Sequence, residues 1–85
     1  MLKYSIEMAP LGAKYVVAAK DPEKGAVEQV FILNETAAYM LRLFSEGLDA
    51  EAVTNRIATE YGAPYELVKR DVDSFWEDIV SKGLV

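Results

Sequence analysis

The 85-residue sequence contains no cysteine and no histidine. Without cysteine the chain has no disulfide, no thiolate nucleophile and no cysteine-based zinc site, and without histidine it lacks the commonest general base and metal ligand. The acidic residues show no spacing typical of metal ligands or of a paired-carboxylate catalytic site. The sequence therefore predicts a binding module, with no catalytic residues, no metal and no cofactor.

Long apolar runs and an excess of positive charge are also missing. No stretch approaches the roughly 20 apolar residues that cross a bilayer, and the first residues alternate between charged and apolar types. We therefore expect a cytoplasmic protein with no membrane partner. The formal net charge of −5 has the wrong sign for binding phosphates, so no nucleic-acid partner is expected. The length suits one domain over residues 1–85.

The first 34 residues are predicted to form strands. Residues 3–8 alternate apolar and polar side chains, residues 14–20 are rich in β-branched types, and residues 26–33 are largely apolar. Turn-forming residues separate these segments at positions 10–12 and 21–25. An antiparallel meander follows from these short connections.

The rest of the chain is predicted to form three helices. The first begins after the N-cap Asn34, the second begins at the N-cap Asp49, and the third begins near Pro64 and runs to Lys82. Apolar positions at helical spacing are expected to be buried: Ala37, Met40, Leu41, Phe44, Leu48, Ala52, Val53, Ile57, Tyr61, Val68, Val72, Phe75 and Ile79. The predicted fold class is α+β, with a three-stranded antiparallel sheet followed by a three-helix cluster, similar to a winged helix with its sheet first.

The third predicted strand lacks the features that protect a sheet edge from pairing. Neither proline nor lysine lies between Val27 and Leu33. Its side chains alternate between two faces, with Val27, Gln29 and Phe31 on one and Glu28, Val30 and Ile32 on the other. We predict that residues 28–32 pair with a strand from another molecule. Periodicity alone favours the alternative that residues 30–33 are an ordinary core strand.

The third predicted helix carries a second set of candidate binding residues. At about 100° per residue, Lys69, Val72, Asp73 and Trp76 form a stripe beside the core-facing row, and we predict that this stripe lines a peptide groove. Trp76 is the strongest candidate because indole combines a large apolar area with a hydrogen-bond donor. Two alternatives stay open: core packing of Trp76, and a simple exposed ion pair between Lys69 and Asp73.

Several short motifs follow one another along nearly the whole chain. They are Leu33-Asn34-Glu35-Thr36-Ala37-Ala38, then Met40, Leu43 and Gly47, and finally Asp71-Val72, Phe75, Ile79 and Gly83-Leu84-Val85. In order and separation they resemble the motifs of PqqD-like proteins, small peptide chaperones also described as RiPP recognition elements.

This resemblance implies a non-catalytic domain that binds the leader segment of a ribosomally synthesised precursor peptide. It implies delivery of that peptide to a modifying enzyme, often a radical SAM protein, in the biosynthesis of peptide-derived cofactors or natural products. It further implies that the leader adds as a strand beside the third strand and lies over the third helix, which agrees with the unprotected edge noted above.

Two other hypotheses remain at this point. A winged-helix module that binds DNA or acts in transcription needs a basic recognition helix, whereas acidic residues outnumber basic ones in the third predicted helix. A homodimer that pairs two open sheet edges uses the same unprotected strand.

Overall fold

A computed structural model describes residues 2–85 of the chain. Within this range the elements are β1 (Ser5–Leu11), β2 (Lys14–Lys20), β3 (Val27–Asn34), α1 (Glu35–Ser45), α2 (Ala50–Tyr61) and α3 (Tyr65–Ser81). The strands form an antiparallel sheet of order β1-β2-β3. The predicted α+β architecture, with the sheet first and the helices after it, is confirmed. No helix in residues 2–85 has the length and apolar character required to span a bilayer.

β1 begins and ends later than the sequence pattern predicted, at Ser5 instead of Lys3 and at Leu11 instead of Met8. The strand continues beyond residue 8 through Pro10 to Leu11, and the turn consists of Gly12, at a φ of 63°, and Ala13. Proline is compatible with β1 because this strand lies at one edge of the sheet, where a missing N–H that points outward removes no hydrogen bond between strands. Pro10, which the sequence pattern placed in a turn, is therefore a strand residue.

The core lies between the inner face of the sheet and the helices. Its buried members include Val17, Ala19, Leu41, Leu43, Val53, Val72, Ile79 and Leu84. Leu43 was not predicted to be buried, and its burial follows from the position of α1, which contacts the sheet and both other helices. Tyr61 was predicted to be buried but is 61% exposed. It is the last residue of α2, and its ring meets the Tyr39 ring edge-on, with 6.4 Å between the centroids.

Asn34 joins β3 directly to α1 and so fixes the strand relative to the helices. Its side-chain Oδ1 accepts a hydrogen bond from the Ala37 N–H at 2.8 Å, as predicted for an N-cap. We expect Asn34→Ala to lower the free energy of unfolding by about 1 kcal/mol, because a helix N–H loses its acceptor. Urea denaturation measures this change, and Asn34→Asp, which keeps the acceptor, is the control. Equal losses in both variants would contradict the capping role.

Candidate functional site

β3 forms the second edge of the sheet. β2 pairs with one side of β3, and no other strand of the described residues 2–85 pairs with the opposite side. The side chains of Gln29, Phe31 and Leu33 are half-buried against the helices, whereas Val30 and Ile32 are 63% and 55% exposed on the outer face. The unprotected edge predicted from the sequence is therefore present.

Pro10 reveals the direction of the hydrogen bonds across the sheet. Pro10 lies opposite Tyr15 in the β1–β2 ladder. Because proline has no N–H, this pair is a non-hydrogen-bonded one. The backbone groups of Tyr15 therefore point away from β1 and toward β3, as do those of Val17, two residues further along β2.

The same alternation shows which backbone groups of β3 bond to β2 and which point to the free edge. Tyr15 faces Leu33, and Val17 faces Phe31, so these are the pairs whose N–H and C=O groups bond across β2 and β3. The intervening residues Val30 and Ile32 direct their N–H and C=O groups to the free edge. Each of them offers one donor and one acceptor to an added strand.

A bulge limits this edge at the start of β3. Val27 lies opposite Lys20, and Gln29 lies opposite Ala19, so Glu28 is an extra residue in the ladder. Val27 is exposed, although the strict alternation placed it on the same face as Gln29 and Phe31. The bulge shifts the face of Val27, and the regular part of the edge begins at Gln29, one residue after the predicted start at Glu28.

The C-terminal end of α3 lies beside the first half of β3. The Gln29 side-chain Nε2 donates a hydrogen bond to the Lys82 carbonyl oxygen at 2.7 Å. The Lys82 Nζ lies 5.4 Å from the centroid of the Phe31 ring, within the range of a cation–π contact. Gly83, at a φ of 75°, then turns the chain so that Leu84 enters the core. These contacts hold the end of α3 against the strand.

A groove of about 350 Å³ lies where the other end of β3 meets α3. It is lined by Asn34, Thr36, Ala37, Met40, Asp71, Ser74, Phe75 and Asp78. Met40 and Phe75 are buried and form an apolar floor, whereas Asp71, Ser74 and Asp78 form an exposed polar wall. The groove therefore offers an apolar surface beside a strand edge with unpaired backbone groups.

α3 runs antiparallel to β3 along this edge. Lys82 contacts Gln29 at the start of β3, and Asp71 and Asp78 lie near Asn34 at its end. A strand rises about 17 Å over the five residues from Gln29 to Asn34, and a helix rises about 17 Å over the eleven residues from Asp71 to Lys82. The two lengths match. We call the surface between residues 29–34 and residues 71–82 the β3–α3 groove.

The charges in the β3–α3 groove are separated along its length. Asp71 lies toward the Asn34 end, Lys82 lies at the Gln29 end, and Asp78 lies between them along α3. Among the residues that the structure describes, none of these three forms an ion pair. Their charges are therefore available to a bound molecule.

The predicted α3 stripe lies outside this groove. Lys69 and Asp73 form an exposed ion pair at 2.7 Å and border a depression with Ala50 and Thr54 of α2. The hydrogen bond from Lys69 to Asp73 raises the pKa of Lys69. Val72 is fully buried in the core, which leaves it no surface for a ligand in this conformation. The structure thus favours the simple ion pair over a groove wall for Lys69 and Asp73.

Trp76 packs against the opposite side of α3 from the groove. Its ring centroid is 4.8 Å from that of Phe44, and the half-buried indole contributes to the hydrophobic core. Ser74 and Trp76 are two residues apart, which corresponds to about 200° around a helix. The residues of α3 that face β3 are therefore Asp71, Ser74, Asp78 and Lys82, which the sequence-based selection missed. Asp71 had been noted only as a match to the family motifs.

A second pocket, of about 300 Å³, lies between α1, the end of α2 and the β1–β2 hairpin. The Tyr39 hydroxyl donates a 2.6 Å hydrogen bond to Glu60, and this bond raises the pKa of Tyr39. The Arg42 guanidinium lies 5.2 Å from the centroid of the same ring. The Tyr39 side chain thus links α1 to the end of α2.

Two comparisons with known proteins bear on this geometry. The family model of Coenzyme PQQ synthesis protein D (PqqD) matches residues 17–85, which include all of β3 and the helices that follow it. The solved structure of TbiB1 in complex with the TbiA(beta) leader peptide is similar in fold, with a TM-score of 0.69 and 24% sequence identity over 98% of this chain and 93% of that chain. No curated protein matches the chain.

Proposed function

Since this chain belongs to the PqqD family, we propose that it is a non-catalytic chaperone for a ribosomally synthesised precursor peptide. The leader segment of that peptide adds as a fourth strand to β3, and the chaperone delivers the bound peptide to a modifying enzyme. The leader complex of the structurally similar TbiB1 supports this proposal, as does the absence of histidine and cysteine from the sequence.

The observation that carries the proposal is the free edge of β3. Val30 and Ile32 direct unpaired N–H and C=O groups outward, and neither lysine nor proline blocks the approach of another strand. Backbone pairing of this kind supplies affinity, and pockets for alternate side chains of the added strand supply specificity. The apolar floor at Met40 and Phe75 is positioned to accept one such side chain.

We propose the β3–α3 groove as the leader site. Its strand side keeps Gln29, Val30, Phe31 and Ile32 of the predicted residues. The predicted Glu28 lies at the bulge, just outside the groove. On the helix side, Asp71, Ser74, Asp78 and Lys82 take the place of Lys69, Val72, Asp73 and Trp76, because the latter lie on the opposite side of α3 or in its core. The helix-side residues change because α3 turns Asp71, Ser74 and Asp78 toward β3.

The partners that complete the function are also proposals. A radical SAM protein in the cytoplasm is the proposed modifying enzyme, as the resemblance to PqqD-like proteins implies. An edge-to-edge homodimer competes for the same backbone groups of β3, so we expect leader binding and dimerisation to exclude each other. The DNA-binding hypothesis finds no support, because Asp71 and Asp78, the charged residues of α3 that line the pocket beside Asn34, are both carboxylates.

An amide NMR titration of the labelled protein tests the proposed function. The ligands are leader peptides from small open reading frames beside the gene, and the parallel arm uses nonspecific duplex DNA. We expect saturable shifts at the Val30 and Ile32 amides and around Ser74 with one peptide, and none with DNA. Shifts on α3 with DNA, and none with any peptide, would overturn the chaperone and favour the winged-helix module.

A further inference from the structure

We propose that the β3–α3 groove selects leaders by an ordered pair of charges. The preferred leader carries a basic residue about two to four positions N-terminal to an acidic one. This inference rests on the proposed function and names the chemistry of its substrate. The basic side chain meets Asp78 at the shorter spacing or Asp71 at the longer one, and the acidic side chain meets Lys82.

The order of the charges follows from the direction of the added strand. The sheet is antiparallel, and antiparallel pairs are slightly more stable per residue than parallel ones. A leader antiparallel to β3 passes the Asn34 end first and the Gln29 end last. Its N-terminal part therefore lies by the two carboxylates, and its C-terminal part lies by the Lys82 ammonium.

The spacing of the charges follows from the rise of each element. Lys82 is about 6 Å along the helix from Asp78 and about 17 Å from Asp71. At about 3.4 Å per residue, these distances correspond to about two to five residues of an extended leader. Side chains on the same face of a strand recur every second residue, so separations of two and four residues place both charges toward α3.

The groove charges can respond to a ligand because they are not already paired within the fold. Lys69 and Asp73 neutralise each other on the other flank of α3, and Lys20 pairs with Glu7 on the sheet. In residues 2–85, by contrast, Asp71, Asp78 and Lys82 have no ion-pair partner and are exposed. Pairs at partly exposed sites add modest affinity, but mismatched charges repel, so such an arrangement acts mainly on specificity.

A display selection tests this proposal without knowledge of the natural leader. The immobilised protein is presented with a random library of 12-residue peptides, and the enriched sequences are read for charge order. We expect Lys or Arg to precede Asp or Glu by two or four positions. When the Asp71→Asn/Asp78→Asn variant is the bait, we expect the enriched peptides to lose their preference for Lys or Arg. When the Lys82→Gln variant is the bait, we expect them to lose their preference for Asp or Glu. A selected peptide loses about three- to fivefold in affinity for each bait variant.

The control variant carries the same change of charge beside the other flank of α3. Asp73→Asn/Glu51→Gln removes two carboxylates that border the depression between α2 and α3, away from the groove, and it is expected to select the same peptides as the unmodified protein. Enriched peptides without charge order, or equal effects of the two double variants, would overturn the charge selection alone. Capture of no peptide at all would overturn the leader-binding function together with this inference.

Discussion

Val30→Pro is expected to weaken leader binding by roughly tenfold or more while the fold persists. The Val30 N–H points to the free edge, so its loss leaves a carbonyl of the bound leader without a donor, which costs about 1–3 kcal/mol. The β2–β3 ladder survives because it uses Gln29 and Phe31. Pro10 occupies a comparable outward-facing position in β1 without breaking that strand. Isothermal titration with a peptide that binds the unmodified protein measures the loss.

Val30→Thr is the matched control for this prediction. Threonine keeps the backbone N–H and the β-branched shape, and the side chain at this position is 63% exposed on the outer face of the sheet. We expect its affinity to stay within about a factor of two, because backbone pairing supplies the affinity and threonine leaves the backbone groups in place. Circular dichroism verifies that both variants are folded. Equal binding by folded Val30→Pro and Val30→Thr would show that the leader does not pair with this edge.

The free edge of β3 was predictable because its signal is local. The lack of lysine and proline between Val27 and Leu33 is visible in the sequence, and so is the Asn34 cap that ends the strand. Pro10 was misassigned to a turn because its compatibility with β1 depends on the position of that strand at the sheet edge. Strand order is a property of the whole fold, which no single segment encodes.

The side of α3 that faces β3 was not predictable, and the reason is geometric. Periodicity identifies the apolar row of α3 at Val68, Val72, Phe75 and Ile79, all of which are buried as predicted. That row has a flank on each side, and both flanks contain charged residues. Which flank faces β3 depends on the side of the core on which that strand lies. The indole of Trp76 led to the prediction of the flank that packs against α1 instead. Residue chemistry alone therefore could not show which flank of α3 faces the strand.

Trp76→Ala distinguishes a core residue from a ligand contact, and we expect it to lower the free energy of unfolding by about 2 kcal/mol or more. Full truncation of a buried Trp costs about 3–5 kcal/mol, and the half-buried Trp76 loses part of that. The Phe44 ring, 4.8 Å away, loses its packing partner. Val80→Ala is the control on the same helix, because Val80 is 50% exposed, and a change within about 0.5 kcal/mol is expected.

Leader affinity separates the two interpretations of Trp76 further. An apparent affinity falls in proportion to the folded fraction, so binding must be measured at a temperature at which Trp76→Ala is almost fully folded. Under that condition we expect the variant to bind a leader as tightly as the unmodified protein, because the indole lies on the far side of α3 from Ser74 and Asp78. A tenfold loss of affinity with little loss of stability would instead make Trp76 a contact residue, and would require the leader to extend past α3 toward α1.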